Sequence, residues 1–140
     1  MAKLTKIILV IISVAFYTIS LNQKCIGNFG GMECLMFGPI SSYVTRLPFG
    51  TIAWLSNIIY FHILLRMIFL PKQAIHRVFF IILLVLACSS FFVREILVNE
   101  GDTFEPMKIH IGLYYWILSF ALITLANEVF TLFGKNRVSE

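Results

Sequence analysis

Four long apolar stretches, each closed by charged residues, divide the chain. No Asp, Glu, Lys or Arg falls in residues 7–23 (17 residues), 47–65 (19), 78–93 (16) or 109–127 (19). A helix that crosses a bilayer needs roughly 20 mostly apolar residues, with a working range of about 17–25. The third run reaches that length only when Arg77 and Arg94 carry their charged ends outward along their own stems. The pattern predicts an all-α chain: a single transmembrane domain over residues 1–140, with spans near 4–21, 48–70, 78–95 and 109–133 and outer loops at 22–47 and 96–108. Only a helix satisfies its backbone polar groups within one segment, and short connections make successive helices antiparallel. The expected architecture is therefore an up-down-up-down four-helix transmembrane bundle.

Punctuation residues sharpen the boundaries. Pro48 suits the first turn of the second helix, where a missing N–H costs nothing, and Pro71 stops that helix. Gly101 marks a turn, Pro106 is expected to open the last helix, and Gly134 to cap its end. Tyr114, Tyr115 and Trp116, near the start of the fourth span, fit an interfacial aromatic belt.

Composition strengthens this reading. The 140 residues are 59% hydrophobic and 13% charged, with a mean hydropathy of +0.91. A soluble domain carries about 25% charged residues, so too little polar surface exists to clothe a water-exposed globule. The net charge of +4 is spread along the helix flanks without a cluster, which argues against nucleic acid and for orientation in a membrane.

Seven cations fall on one side of the predicted bilayer (Lys3, Lys6, Arg66, Lys72, Arg77, Lys135, Arg137) and four on the other (Lys24, Arg46, Arg94, Lys108). The richer side faces the cytoplasm, so both termini are expected there and loop 22–47 outside. The first run also resembles a secretory signal, but Tyr17-Thr18-Ile19-Ser20 offers no small-x-small cleavage site, and the span is expected to stay uncleaved. Frequent Ile, Phe, Lys and Asn point to an AT-rich bacterial genome, and so to a bacterial inner membrane.

Loop 22–47 holds Cys25 and Cys34, with Gly27, Gly30 and Gly31 between them. In an oxidising compartment such a pair normally closes into a disulfide, and the glycines let the chain double back far enough to bridge it. A structural staple is the first expectation and a redox-active pair the second. Cys88 lies within the third span beside Ser89 and Ser90, reading as a small close-packing helix face.

The order of a first span, an outer loop with two nearby cysteines, Ser41-Ser42-Tyr43, then Pro48-Phe49-Gly50 leading into the second helix resembles the front half of the vitamin K epoxide reductase family. The resemblance covers residues 10–60; beyond them only topology is shared. It implies a four-helix membrane thiol oxidoreductase that passes electrons from a partner's thiols to a quinone. In that family the loop cysteines hand electrons to a Cys-x-x-Cys at the outer start of the last helix. This chain has Glu105-Pro106-Met107-Lys108 at the corresponding place, so the proline matches a common family form and both cysteines are absent. The usual electron relay is therefore broken.

Polar groups inside a span are costly unless paired, and so point to function. Asn57, His62 and Arg66 lie in the second span, with His62 and Arg66 on one face, and Glu128 ends the fourth charge-free run. Glu128 is expected to pair with Arg66 or with Arg77 at the cytoplasmic end. His62 reads first as a helix–helix hydrogen-bond partner and second as a proton relay. His76 and His110 fall on opposite sides of the membrane, so no shared histidine metal site is expected, and no phosphate loop or Ser-His-Asp order is present.

Two functional readings follow. In the first, the chain has no catalytic centre and no cofactor, and acts through its helices and outer loop on another membrane or extracytoplasmic protein, as an accessory or assembly subunit or as an immunity protein against a membrane-targeted toxin. In the second it is a thiol–disulfide/quinone oxidoreductase, or a degenerate relative of one, with Cys25 and Cys34 as the working pair and a quinone as acceptor. A transporter or channel subunit ranks third, for want of intramembrane charge.

Overall fold

The computed structural model describes residues 2–40, 49–69, 75–97 and 104–135. Helix α1 covers Ala2–Leu21. A small hairpin, β1 (Lys24–Ile26) and β2 (Phe29–Gly30), leads into a short helix α2 (Gly31–Phe37) and a 3-10 turn, Gly38–Ile40. Helix α3 covers Phe49–Phe69. Helix α4 covers Arg77–Cys88 and tightens into a 3-10 turn, Ser89–Phe92. A second hairpin, β3 (Glu95–Leu97) and β4 (Phe104–Pro106), precedes α5, Ile111–Lys135.

Among the described residues three helices are long and apolar enough to cross a membrane: Leu4–Leu21, Phe49–Phe69 and Ile111–Val129, with mean hydropathies of 2.2, 1.6 and 1.3. Arg77–Phe92 is a shorter apolar helix. The distribution of side chains is that of an integral membrane protein. Ile7, Ile11, Leu55, Ile58, Leu65, Ile81, Val85, Leu118 and Leu125 face outward. The interior instead holds Ser13, Ser20, Ser56, Asn57, Ser90, Ser119 and Asn127 among its apolar residues. Small and polar residues between helices, with branched aliphatics outside, is the pattern expected where lipid is the solvent and close backbone approach drives packing.

Contacts fix the helix directions. Ser13 of α1 meets Tyr60 of α3 and the Ser119 carbonyl of α5, while Tyr17 reaches Asn57; Phe16 packs on Tyr115. Position rises along α1 as it falls along α3 and α5, so α1 is antiparallel to both. Phe49 against Phe92 and His62 against Phe79 set α4 antiparallel to α3. The core, centred on Tyr17, Tyr60, Leu83, Phe120 and Ile123, lies where these helices converge.

Several expected boundaries shift. The third apolar helix stops at Phe92 and not at Glu95: it tightens into a 3-10 turn over Ser89–Phe92 and the chain turns extended at Val93. Glu95 goes into β3, paired with Pro106. Pro106 therefore ends a strand and does not open a helix, and α5 begins at Ile111. Gly134 lies inside α5, whose last residue is Lys135. Segments 22–47 and 96–108, expected as loops, contain the first hairpin, α2 and most of the second hairpin. The expectations at Ser41-Ser42-Tyr43, Pro48, Pro71 and Gly101 lie outside the described residues.

Candidate functional site

The cysteine loop is built by glycines at places where a side chain cannot go. Gly27 turns the first hairpin with a φ of 55°, a left-handed conformation that glycine alone adopts without strain. At Gly31 a Cβ would collide with the Ser20 carbonyl and lie 2.8 Å from the Leu21 Cα, so the start of α2 can seat directly on the end of α1. The loop is then stitched to the segment before α5. Gly27 N–H donates to the Lys108 carbonyl at 2.8 Å, His110 N–H donates to the Cys25 carbonyl at 3.1 Å, and Ile26 and Ile109 form a β-bridge.

This scaffold brings Cys25 and Cys34 together. The expected disulfide is not found: both are free thiols, Cys25 buried and Cys34 half-buried. Cys25 donates to the Ser20 carbonyl at 3.6 Å, and Cys34 lies near enough for the two thiols to shift each other's acidity. With α2 seated on α1, both thiols are brought to the lining of one cavity. The Cys34 S–H lowers the Cys25 thiol below its ordinary range, against the upward push of burial. The same Cys25–Cys34 interaction, then burial and the nearby Glu33 charge, raise Cys34. Of the two, Cys25 is the one poised to ionise.

Both sulfurs line a cavity of about 70 Å³, whose walls include Tyr17, Trp54, Asn57 and Trp116. A water needs about 10–15 Å³ of such space, so the cavity has room for several waters or one edge of a small ring. Asn57 organises its inner wall. Its Oδ1 accepts from the Tyr17 hydroxyl at 2.9 Å and from Trp116 Nε1 at 2.8 Å, while Nδ2 donates to the Trp54 carbonyl at 3.1 Å. One amide thereby ties α1, α3 and α5 together beneath the thiols. Opposite Cys25 stands Gly112, in the first turn of α5. A Cβ there would lie 2.8 Å from the Cys25 sulfur and 2.6 Å from the Lys24 carbonyl. The residues of the last helix that approach the loop thiols are thus around Gly112, one turn beyond the Glu105–Lys108 segment where the resemblance had placed the missing Cys-x-x-Cys.

The other singled-out residues fall elsewhere. His62 is exposed and stacks on Phe79 at 5.9 Å. Arg66 is half-buried in the last turn of α3. Cys88 is exposed while Ser89 and Ser90 are buried, so of the expected Cys-Ser-Ser packing face only the serines pack inward. Glu128 pairs with Arg77, one of its two expected partners. No group of three metal-ligating side chains occurs among the described residues. Tyr17 and Trp116 had no predicted role in a site. Their signal was present: Ser13, Tyr17 and Ser20 form a stripe at i, i+4, i+7 along α1, and Trp116 sits a turn before Ser119 on the matching face of α5.

No family model, curated protein or solved structure matches this chain.

Proposed function

We propose that this protein is a membrane-embedded thiol–disulfide oxidoreductase whose working group is the Cys25–Cys34 pair. The observation that carries the reading is the placement of two free thiols, Cys25 and Cys34, at one aromatic, amide-lined cavity. In the proposed cycle a quinone-class acceptor takes two electrons and two protons from the pair. Both S–H bonds break, one S–S bond forms and the quinone leaves as hydroquinone. A partner protein's dithiol then reduces the disulfide by exchange, its own thiols becoming the new disulfide. Cys25, the thiol with the lowered pKa, is the proposed nucleophile and Cys34 the resolving thiol. With Gly112 facing Cys25 there is no second pair in the way, so a single dithiol serves both half-reactions. The proposal includes four spans in a bacterial inner membrane, both termini cytoplasmic and the thiols outside; a reporter enzyme fused near residue 35 should be active only on the outer side.

A second reading is favoured by the same glycine. The vitamin K epoxide reductase-like relay needs two pairs, and a chain lacking one resembles a protein that has given up the reaction and acts by contact, as an assembly subunit or an immunity protein. Trapping thiols in living cells separates the readings. A mixture of reduced and oxidised Cys25–Cys34 that shifts toward the dithiol when quinone supply is cut supports the oxidoreductase. A pair fixed in one state whatever the quinone supply overturns it in favour of the contact reading.

A further inference from the structure

Helix α2 carries an exposed apolar arc: Met32, Met36 and Phe37 are 50%, 68% and 52% exposed. The opposite arc is occupied. Gly31 abuts α1, Cys34 meets Cys25, the Leu35 carbonyl accepts from Trp54 Nε1 at 2.7 Å, and Gly38 lies directly on the Trp54 ring. The one charge on the outer arc, Glu33, is turned back to the helix start, its Oε2 accepting from Gly30 N–H at 2.7 Å.

The depth of α2 identifies what covers that arc. Helix α3 has 21 residues, about 31 Å at about 1.5 Å per residue, which matches a hydrocarbon core of about 30 Å. Its ends therefore mark the edges of the core. Trp54 comes five residues after Phe49 in α3, about 7.5 Å below that edge along the axis. The bond from Trp54 to the Leu35 carbonyl holds the middle of α2 at that level. A second tie sets the shallow end, since the start of α2 rests on Ser20 and Leu21, the last residues of α1 and so the edge itself. The two ties thus hold α2 between the edge of the core and about 7.5 Å inside it, the zone where an amphipathic helix lies in an interface, about 5–10 Å into the headgroup–acyl boundary.

We infer that α2 lies in the bilayer interface at the cysteine-loop end of the bundle, with Met32, Met36 and Phe37 among the acyl chains. The thiol pair on its other face is then at the membrane–water boundary and not above it. This placement holds whether or not the pair is redox-active, and its test is independent of electron transfer.

The test uses the full chain reconstituted in phosphatidylcholine vesicles. Phe37→Trp adds a third tryptophan to Trp54 and Trp116, and its contribution is read as the difference from the unsubstituted chain. Met36→Trp, on the same arc, repeats the measurement in case either variant misfolds, and Asn28→Trp, in the exposed hairpin turn, is the aqueous reference. At positions 36 and 37 the added emission should be blue-shifted, quenched severalfold by lipids brominated on the upper acyl chain, and little affected by iodide. At position 28 iodide should quench and brominated lipid should not. Iodide quenching at 36 and 37, without bromolipid quenching, overturns the inference and leaves the arc facing water, free for a protein partner.

Discussion

Arg77 and Glu128 meet in a two-pronged contact, Nε to Oε1 at 3.0 Å and Nη2 to Oε2 at 2.8 Å. The pair joins the first residue of α4 to the last third of α5. One residue away, Asn127 bonds both backbone groups of Ile75, accepting from its N–H and donating to its carbonyl at 3.4 Å each. This end of the bundle is closed by side chains of α5 gripping the approach to α4.

Because the Arg77 side chain is 68% exposed and that of Glu128 29%, the ion pair should contribute no more than about 1 kcal/mol. Arg77→Glu sets two carboxylates together and Glu128→Arg two guanidinium groups; each single reversal should lower the unfolding midpoint in detergent by more than the double reversal does. A double-mutant cycle on that midpoint checks it, and equal additive losses would show that the contact carries no coupling.

Gly112→Ala places a methyl against the Lys24 carbonyl and the Cys25 sulfur at 2.6 and 2.8 Å. Neither can retreat easily, since the Cys25 backbone is held by His110. Overpacking of this kind typically costs about 1–3 kcal/mol. The expected outcome is a lower melting temperature together with faster alkylation of Cys34, as Cys25 is pushed out of hydrogen-bonding reach. Unchanged thiol reactivity would show that α5 does not position the pair.

The thiols should titrate asymmetrically. The Cys34 hydrogen bond lowers Cys25, so Cys25 ionises at lower pH than an ordinary thiol and its alkylation rate should rise at correspondingly lower pH. Cys34→Ala removes the donor and leaves burial, which raises the pKa, so the Cys25 profile should move to higher pH; Cys34→Ser retains a donor and should move it less. Rates of maleimide labelling across pH, with Cys88 replaced by serine, test the order of the three profiles.

Asn57→Leu deprives the Tyr17 hydroxyl and the Trp116 indole of their shared acceptor. Hydrogen bonds between membrane helices average about 0.6 kcal/mol, with a maximum near 1.7, so the two together should cost about 1–3 kcal/mol. Thermal unfolding in detergent should show the loss, and the emission of Trp116 should change with it. A variant as stable as the original chain would mean that the amide serves the cavity and not the fold.

The membrane helices were legible because lipid imposes a crude rule, a charge-free run of sufficient length, and α1, α3 and α5 obey it. The rule fails at its own margins. Arg94 and Glu95 looked like the snorkelling end of a helix, but strand pairing with Pro106 outcompeted helix continuation, and hairpin pairing leaves no trace in hydropathy. Asn57 stood out as a polar residue in a span, whereas Tyr17 and Trp116 did not, because amphipathic aromatics are equally at home in an interfacial belt. The nearness of Cys25 and Cys34 followed from their glycines; their free state and their contact with α5 did not, since both depend on how far α2 slides onto α1. Gly112 was invisible for a simple reason: its role is to leave space, and only a neighbour shows that the space is needed.

The stitching of the cysteine loop to residues 108–110 has a consequence for biogenesis. Helix α1 packs most extensively against α5, and the hairpin that carries Cys25 is completed by the strand-like segment just ahead of α5. The segments that emerge from the ribosome first are thus finished by those that emerge last. Until the final helix inserts, the nascent chain presents an unguarded dithiol to whatever oxidant or chaperone surrounds it, and truncation before residue 111 should yield a product prone to mixed disulfides and rapid proteolysis.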